Sequence, residues 1–176
     1  MLLGAGWSVV ATDVSNDQLE LAREVAVDAE LVRADAHDLP FEDGRFDAVI
    51  SLLTHTDFDD LDVAFSEAAR VIRPGGRFVY AGPHPCFGSP MVVRGAAADL
   101  DDAVAIIRPG YPEPGWRVLP FDADSSAIRS RVGINHVPLG ALVNALIRSG
   151  LEITRLEEPG GDDPPIFIAV SAVRAA

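Results

Sequence analysis

The stretch FDAVISLLTHTDFDDLDVAFSEAARVIRPGGRFVYA, residues 46–81, decides the fold class. It begins with the most apolar run of the chain, 46–53, whose continuous hydrophobic character predicts a strand buried on both faces. Apolar residues then recur at helical spacing over 59–72, and the turn Arg73-Pro74-Gly75-Gly76 ends this helix before a second strand at 77–81. A strand, a helix and a strand in this order predict a parallel sheet covered by helices.

The first 45 residues repeat this alternation. Residues 7–12 and 29–34 read as short strands, and an acid follows each of them, Asp13 and Asp35 respectively. Between the strands, Ser15 begins a capping-box pattern that predicts the start of a helix. The chain is therefore of the α/β class, with carboxylates at the strand ends where such sheets bind ligands.

Regular alternation fails between residues 84 and 135, a segment rich in proline and glycine. We predict one helix there, at 96–107, and a small antiparallel ribbon formed by 116–121 and 127–132. A long insertion after a core strand is more often a substrate lid than a spacer. The whole chain, 1–176, is thus interpreted as a single domain that carries a lid.

Regular structure returns at Pro138, a favourable first helical residue, and Gly150 ends the helix that follows. Two strands come next, 151–156 and 166–173, with only a turn between them. Consecutive strands without an intervening helix predict an antiparallel hairpin at the sheet edge.

The composition of the chain restricts the classes of molecule that we expect it to bind. The chain has 14 basic and 27 acidic residues, a net charge of −13, which disfavours nucleic-acid backbones and membrane surfaces but leaves room for one nucleotide-like ligand. Cys86 is the only cysteine, so an intrachain disulfide and a multi-cysteine zinc site are excluded, and no His/Asp/Glu spacing resembles a metal site. No apolar run reaches the ~18 residues of a membrane span and no basic leader is visible, so we expect a cytoplasmic protein.

Four segments, in this order, resemble the class I S-adenosylmethionine-dependent methyltransferases, especially small bacterial ones with a single catalytic domain. They are VVATDVSNDQLELAR (9–23), ADAHDLPFEDGRFDAVIS (34–51), EAARVIRPGGRFVYAGPHP (67–85) and LVNALIRSGLEITRLEEP (142–159). The resemblance implies a Rossmann-like three-layer sandwich with a mostly parallel sheet. It also implies S-adenosylmethionine as the cofactor and methyl transfer to a small-molecule acceptor.

The resemblance also implies a cofactor site. Asp13 would accept hydrogen bonds from the ribose hydroxyls, and Asp35 one from the adenine amino group. The backbone N–H of Ala36 would donate to the adenine ring. Apolar contacts would come from Val14 and Leu39 on the adenine and from Leu52 beside the crevice. The residues alone leave open that Asp13 caps a helix, that Asp35 is a solvated loop acid, and that Val14 and Leu39 belong to the core.

Three of the four histidines fall where an acceptor should lie: His55, His84 and His136. A histidine base suits an oxygen or nitrogen nucleophile, so each is a candidate base or substrate contact. Each also has a structural interpretation, as a helix cap for His55 and as packing between core and lid for the other two. His37 is predicted to be a solvated loop residue. Aromatic candidates for an apolar acceptor pocket, or for filler under the lid, are Phe87, Tyr111 and Trp116.

The family's first strand ends in a glycine-rich loop of the pattern Asp/Glu-x-Gly-x-Gly-x-Gly, which this sequence does not supply. Gly4-Ala5-Gly6 precedes a strand, so we interpret it as a helix-to-strand turn. Because the family's first strand lies between the second and the fourth, we expect a gap in the sheet or a re-paired sheet.

Three explanations stay open. The chain is an N-terminally truncated methyltransferase, or it is a shortened, non-catalytic relative that acts as a binding or oligomeric protein. A nicotinamide dehydrogenase also uses an acid after its second strand. The terminal hairpin and the Arg-Pro-Gly-Gly turn argue against the dehydrogenase.

Overall fold

A computed structural model of the chain describes residues 2–89, 91–96, 103–118, 129–161 and 164–175. The helices are α1 (Asn16–Val25), α2 (Leu61–Val71), α3 (Arg129–Val132) and α4 (Leu139–Arg148). The strands are β1 (Val10–Asp13), β2 (Glu30–Arg33), β3 (Phe46–Leu52), β4 (Ile72–Pro83), β5 (Val92–Ala96), β6 (Ala103–Ile107), β7 (Gly115–Arg117), β8 (Ile134–His136), β9 (Leu151–Glu157) and β10 (Phe167–Arg174).

The central sheet has four strands in the order β3-β4-β10-β9. Strands β3 and β4 are parallel, whereas β10 is antiparallel to both of its neighbours. The predicted C-terminal hairpin is therefore confirmed, and so is the α/β class with a mixed sheet.

Strands β1 and β2 form a separate parallel pair, with Asp13 opposite Arg33 in the register. Within the described residues no ladder joins β1 to β3. Of the two expected outcomes, a gap or a re-paired sheet, the structure has the gap. It leaves one edge of β1 and one edge of β3 without a strand partner in the described part.

The local signals before β1 and α1 are also confirmed. A 3₁₀ turn at Leu3–Ala5 ends on Gly6, whose left-handed φ of 85° lets the chain reverse into the strand. Ser15 is the N-cap of α1, and its side chain accepts from the Gln18 N–H at 3.4 Å.

The core lies between the central sheet and two helices, α2 and α4. Its members include the aromatic residues Phe65, Phe78 and Tyr80, and the α4 residues Leu142 and Leu146. Before residue 64, Leu19 alone among the hydrophobic residues described is fully buried. The buried apolar surface is thus concentrated in the C-terminal two thirds of the chain.

The prediction that β3 is buried on both faces is wrong. Ile50 and Leu52 alternate with less exposed neighbours and are 41% and 60% exposed. Ile50 and Leu52 are two residues apart and so project from the same face of β3, which the described residues leave partly uncovered. A continuous apolar run does not reveal which of its faces is covered.

Two predictions in the lid are also wrong. Residues 103–107 form β6, which pairs antiparallel with β5, so no helix spans 96–107; residues 97–102 lie outside the described part. Strand β7 pairs with β8 and not with 127–132, of which 129–132 form the short helix α3; residues 119–128 lie outside the described part. Gly133, with φ of 80°, provides the turn from α3 into β8.

The longest described helix, α2, has 11 residues, well short of the ~20 that a membrane-crossing helix needs.

Candidate functional site

Two carboxylates lie at the carboxyl ends of β1 and β2. The Oδ1 atom of Asp13 accepts from the Ser15 N–H at 2.8 Å, and the Oδ1 atom of Asp35 accepts from the His37 N–H at 2.9 Å. Neither Oδ2 atom is hydrogen-bonded to a residue that the structure describes. Each acid therefore has one oxygen fixed by local backbone and one oxygen available to a ligand.

Exposed apolar side chains flank these acids. Val14, directly after β1, is 62% exposed, and Leu52, at the end of β3, is 60% exposed. Leu53 has a left-handed φ of 57°, and its N–H donates to the Ala81 carbonyl at 2.8 Å. A non-glycine residue in this conformation is strained, and such strain is concentrated at ligand sites.

The loop after Asp35 is attached to α2. Glu67 accepts from the Leu39 N–H at 2.9 Å, and Arg70 donates to the Leu39 carbonyl at 2.9 Å and to the Phe41 carbonyl at 2.7 Å. Arg70 also binds Glu67, and this hydrogen bond holds the pKa of the Glu67 carboxyl below its usual range. Leu39 and the half-buried Ala36 are thus part of a loop whose backbone is fixed by a helix.

His37 was predicted to be solvated, but it connects the loop after β2 to the loop before α2. Its Nε2 accepts from the Asp60 N–H at 3.1 Å, so in the neutral ring Nδ1 carries the proton and donates to Asp35 Oδ1 at 2.7 Å. Its ring also meets Phe58 edge-on, with centroids 5.8 Å apart.

His55 lies buried beneath the lid, against a tyrosine. The Tyr80 hydroxyl lies 2.6 Å from His55 Nδ1, and burial raises the pKa of Tyr80, so this hydroxyl keeps its proton and donates. Burial lowers the pKa of His55 to about 4, and the nearby Asp57 carboxylate only partly opposes this. His55 is therefore neutral, with its proton on Nε2.

The other two candidate histidines have partners on both nitrogens. His84 Nδ1 accepts from the Cys86 N–H at 3.0 Å, so Nε2 donates to Glu158 at 2.9 Å. His136 Nε2 donates to the Tyr111 carbonyl at 2.7 Å, which leaves Nδ1 to accept from the Ser89 hydroxyl at 2.9 Å.

His55 and His136, but not His84, line a small cavity of about 10 Å³, enough for one water molecule. Its polar lining comes from His55, Thr56, Ser89, Asn135 and His136. A larger open depression of about 370 Å³ involves Ala29 and Leu31 at the amino end of β2, away from the acids. The polar cavity, rather than the depression, lies beside the carboxyl end of the central sheet.

The lid is joined to the core through hydrogen bonds rather than through an apolar interface alone. The Tyr111 hydroxyl accepts from the Leu139 N–H at the start of α4 and lies 3.1 Å from Cys86 Sγ. Asn135 on β8 donates to the Phe58 carbonyl at 2.7 Å. Of the other two aromatic candidates, Phe87 packs on His84 and Trp116 is 46% exposed.

Comparison with known proteins agrees with this geometry. A family model described as a methyltransferase domain matches residues 1–80. A solved S-adenosylmethionine-dependent methyltransferase from Mesorhizobium loti has a TM-score of 0.76 and 27% identity, over 95% of this chain and 80% of that one. The chain is therefore similar to S-adenosylmethionine-dependent methyltransferases and has their fold.

Further similar proteins have names that refer to different acceptors. The fatty-acid O-methyltransferase of Mycolicibacterium smegmatis is 43% identical over 68 residues, which are 39% of this chain. The ubiquinone/menaquinone biosynthesis C-methyltransferase of Brucella canis is 39% identical over 77 residues, which are 40% of this chain. The chain spans only 25% and 29% of the length of these two relatives. A glycopeptide N-methyltransferase solved with S-adenosyl-L-homocysteine has a TM-score of 0.66 at 17% identity, over 98% of this chain and 76% of that one.

Sequence reasoning did not identify four residues of the site: His37, Glu67, Arg70 and Tyr80. Tyr80 carried a signal, because it lies on the buried face of a strand and a buried hydroxyl needs a partner. The contacts of His37, Glu67 and Arg70 cross 23 to 31 residues of sequence, and no local spacing marks them.

Proposed function

We propose that this chain forms the S-adenosylmethionine-binding core of a methyltransferase that acts on a small-molecule acceptor. The observation that supports this most is the pair Asp13 and Asp35. Asp13 ends β1 and Asp35 lies two residues beyond its parallel partner β2, and each has one oxygen held by backbone and the other available. Two such acceptors, side by side at the ligand-binding edge of an α/β sheet, suit a ribose and an adenine amino group.

The proposed site divides by chemistry. Asp13 receives the ribose hydroxyls and Asp35 the adenine amino group, while the Ala36 N–H serves the ring. Val14, Leu39 and Leu52 provide apolar surface for the adenine and its surroundings. The bound cofactor supplies an electrophilic methyl group on a sulfonium, so the protein's own part is alignment, exclusion of water and handling of a proton.

On the acceptor side we assign His55 to contact the substrate through Nε2–H. It is the candidate histidine whose second nitrogen has no described protein partner, and it borders the polar cavity. The bonds of His84 and His136 suit them to hold the lid, 84–135, in place next to the acceptor. One relative is named for a fatty acid and another for ubiquinone/menaquinone biosynthesis, and these names favour an acceptor with an extended apolar part.

The gap between β1 and β3 bears on activity. Its open edges fit one further parallel strand, and a glycine-rich loop at the end of such a strand would bring backbone close to the cofactor. We therefore propose that cofactor binding is strongest in a form of the protein that carries this strand. The alternative, a non-catalytic binding or oligomeric protein, rests on the same open edges, which favour self-association.

Titration with S-adenosyl-L-homocysteine by isothermal calorimetry tests the cofactor assignment. Asp13→Ala removes the ribose acceptor, and we expect its affinity to fall about 10- to 100-fold, as for the loss of charged hydrogen bonds. Asp17→Ala is the matched control, because Asp17 is an acid in the first turn of α1 and not at the strand end, and its affinity should stay within about twofold of wild type. Equal losses in both variants would contradict the assignment.

The same titration on a form extended by the codons upstream of Met1 separates the enzyme from the alternative. Tighter binding by the extended form supports the methyltransferase. No binding by either form, together with a concentration-dependent rise in mass by light scattering, supports the oligomeric protein.

On the charge of −13 and the lone cysteine we further propose a cytoplasmic location and no nucleic-acid or membrane partner.

A further inference from the structure

Asp35 has an asymmetric hydrogen-bond pattern. Its Oδ1 atom accepts two hydrogen bonds from one residue, the backbone N–H of His37 at 2.9 Å and the ring Nδ1–H of His37 at 2.7 Å. Two donors on one oxygen fix the rotation of the carboxylate. Its Oδ2 atom is thereby held facing away from His37, although the side chain is 59% exposed and would otherwise rotate freely.

His37 is itself held from the opposite side. The Asp60 N–H donates to Nε2, which requires the neutral ring to carry its proton on Nδ1, where it faces Asp35. Phe58 packs edge-on against the ring, and only 23% of the His37 side chain is exposed. The loop before α2 thus selects both the orientation and the tautomer of His37.

We propose that His37 is a positioning residue that holds Asp35 for the adenine amino group, and so sets the preference for adenine over a base that lacks this group. This inference rests on the proposed cofactor site. His37 itself contacts no part of the cofactor in this scheme; it acts through Asp35. The same two bonds also lower the pKa of Asp35, which keeps its carboxylate ionised and able to accept.

Paired titrations with two probes test the role of His37. S-adenosyl-L-homocysteine has the adenine amino group, whereas S-inosyl-L-homocysteine has a carbonyl oxygen in its place. Wild type should prefer the adenine probe by about tenfold, and His37→Ala should lose most of that preference, with weaker binding of the adenine probe and little change for the inosine probe. A residue that merely supported the loop would weaken both probes equally, and that result would overturn the proposal.

His37→Asn is the conservative variant. Its side-chain amide can donate from about the place of Nδ1 but cannot reach Asp60, so restored preference in this variant identifies the bond to Asp35 as the one that matters. An Asn variant that behaves like the Ala variant while its thermal unfolding matches wild type would also overturn the proposal.

A second measurement needs no ligand. The pKa of the Asp35 carboxyl, followed by carbon NMR, should rise only part of the way toward its ordinary value in His37→Ala, because the backbone N–H of residue 37 still donates, and should remain low in His37→Asn. If neither wild type nor the extended form binds either probe, the proposed function fails and the adenine preference fails with it, whereas the NMR result still decides whether His37 holds Asp35. An unchanged Asp35 pKa in His37→Ala overturns the proposal even if both probes bind.

Discussion

At the scale of single residues, burial and one hydroxyl group decide the protonation state of His55. Tyr80 donates to Nδ1, and His55 is only 2% exposed, so a charged ring would lose its contact with water. Among the described residues, the Asp57 carboxylate is the group that offsets part of this cost. A positive charge on His136, across the cavity, would lower the pKa of His55 further. A neutral His55 presents Nε2–H, so it can donate a hydrogen bond at neutral pH.

This protonation state predicts a pH-dependent stability. The unfolded chain protonates His55 near its ordinary pKa of 6.5, whereas the native chain does so only near 4. Stability from the neutral ring is therefore complete above about pH 7 and is lost as the pH falls to 4, by roughly 3 kcal/mol in total. Urea unfolding at pH 7, 5.5 and 4 measures the loss.

His55→Asn is the control for that experiment, since asparagine still accepts from Tyr80 but does not titrate. The free energies of unfolding of wild type and variant should diverge steadily between pH 7 and 4. Parallel pH profiles for the two proteins would show that His55 is not neutral and buried in solution.

At the scale of elements, β4 brings Tyr80 and Gly82 to the same buried face. A Cβ added at Gly82 would overlap the Tyr80 hydroxyl and would lie 3.0 Å from His55 Nδ1. The absence of a side chain at 82 is thus what lets the tyrosine and the histidine meet across the strand.

We expect Gly82→Ala to destabilise the fold by about 1–3 kcal/mol, because the Tyr80–His55 pair must move in a close-packed core. Gly140→Ala is the matched control: it lies in α4, a Cβ there meets no atom within 4 Å, and it should stabilise by up to about 1 kcal/mol. Differential scanning calorimetry on both variants compares them directly. A Gly82→Ala melting temperature at or above that of wild type would contradict the packing.

The elements also show how far sequence patterns reach. The sequence allowed prediction of the features that depend on neighbouring residues or on alternation over a few residues. These are the strand ends at Asp13 and near Asp35, the cap at Ser15 and the C-terminal hairpin. The lid was not predictable: Ala103–Ile107 is a strand because it pairs with Val92–Ala96, and that pairing has no local signature. The contact between Tyr80 and His55 could not be predicted either, because the two residues are 25 positions apart in the sequence.

At the scale of the whole molecule, burial is uneven. Every member of the main core cluster lies at or after Phe65, whereas β1, α1 and β2 contribute Leu19 as their single fully buried hydrophobic residue. Segments with few buried apolar contacts open at lower free energy than the global unfolding transition.

We therefore expect residues 10–33 to exchange their amide hydrogens by sub-global opening while β4 and β10 stay protected. Hydrogen exchange with mass spectrometry at low urea concentrations measures this order. S-adenosyl-L-homocysteine at saturation should slow exchange in 10–33 more than in β4. Equal protection of both regions in the free protein would contradict the uneven core.

Strand β8 and, through His37, Asp35 are attached to the same loop, the one that precedes α2. The Asn135 side chain donates a hydrogen bond to the Phe58 carbonyl. Two residues after Phe58, the Asp60 N–H donates to His37 Nε2. Under the proposed function, an acceptor that displaced β8 would shift this loop and, through it, His37 and Asp35. Thermodynamic linkage then requires reciprocity: whatever factor the acceptor imposes on cofactor affinity, the cofactor imposes on acceptor affinity.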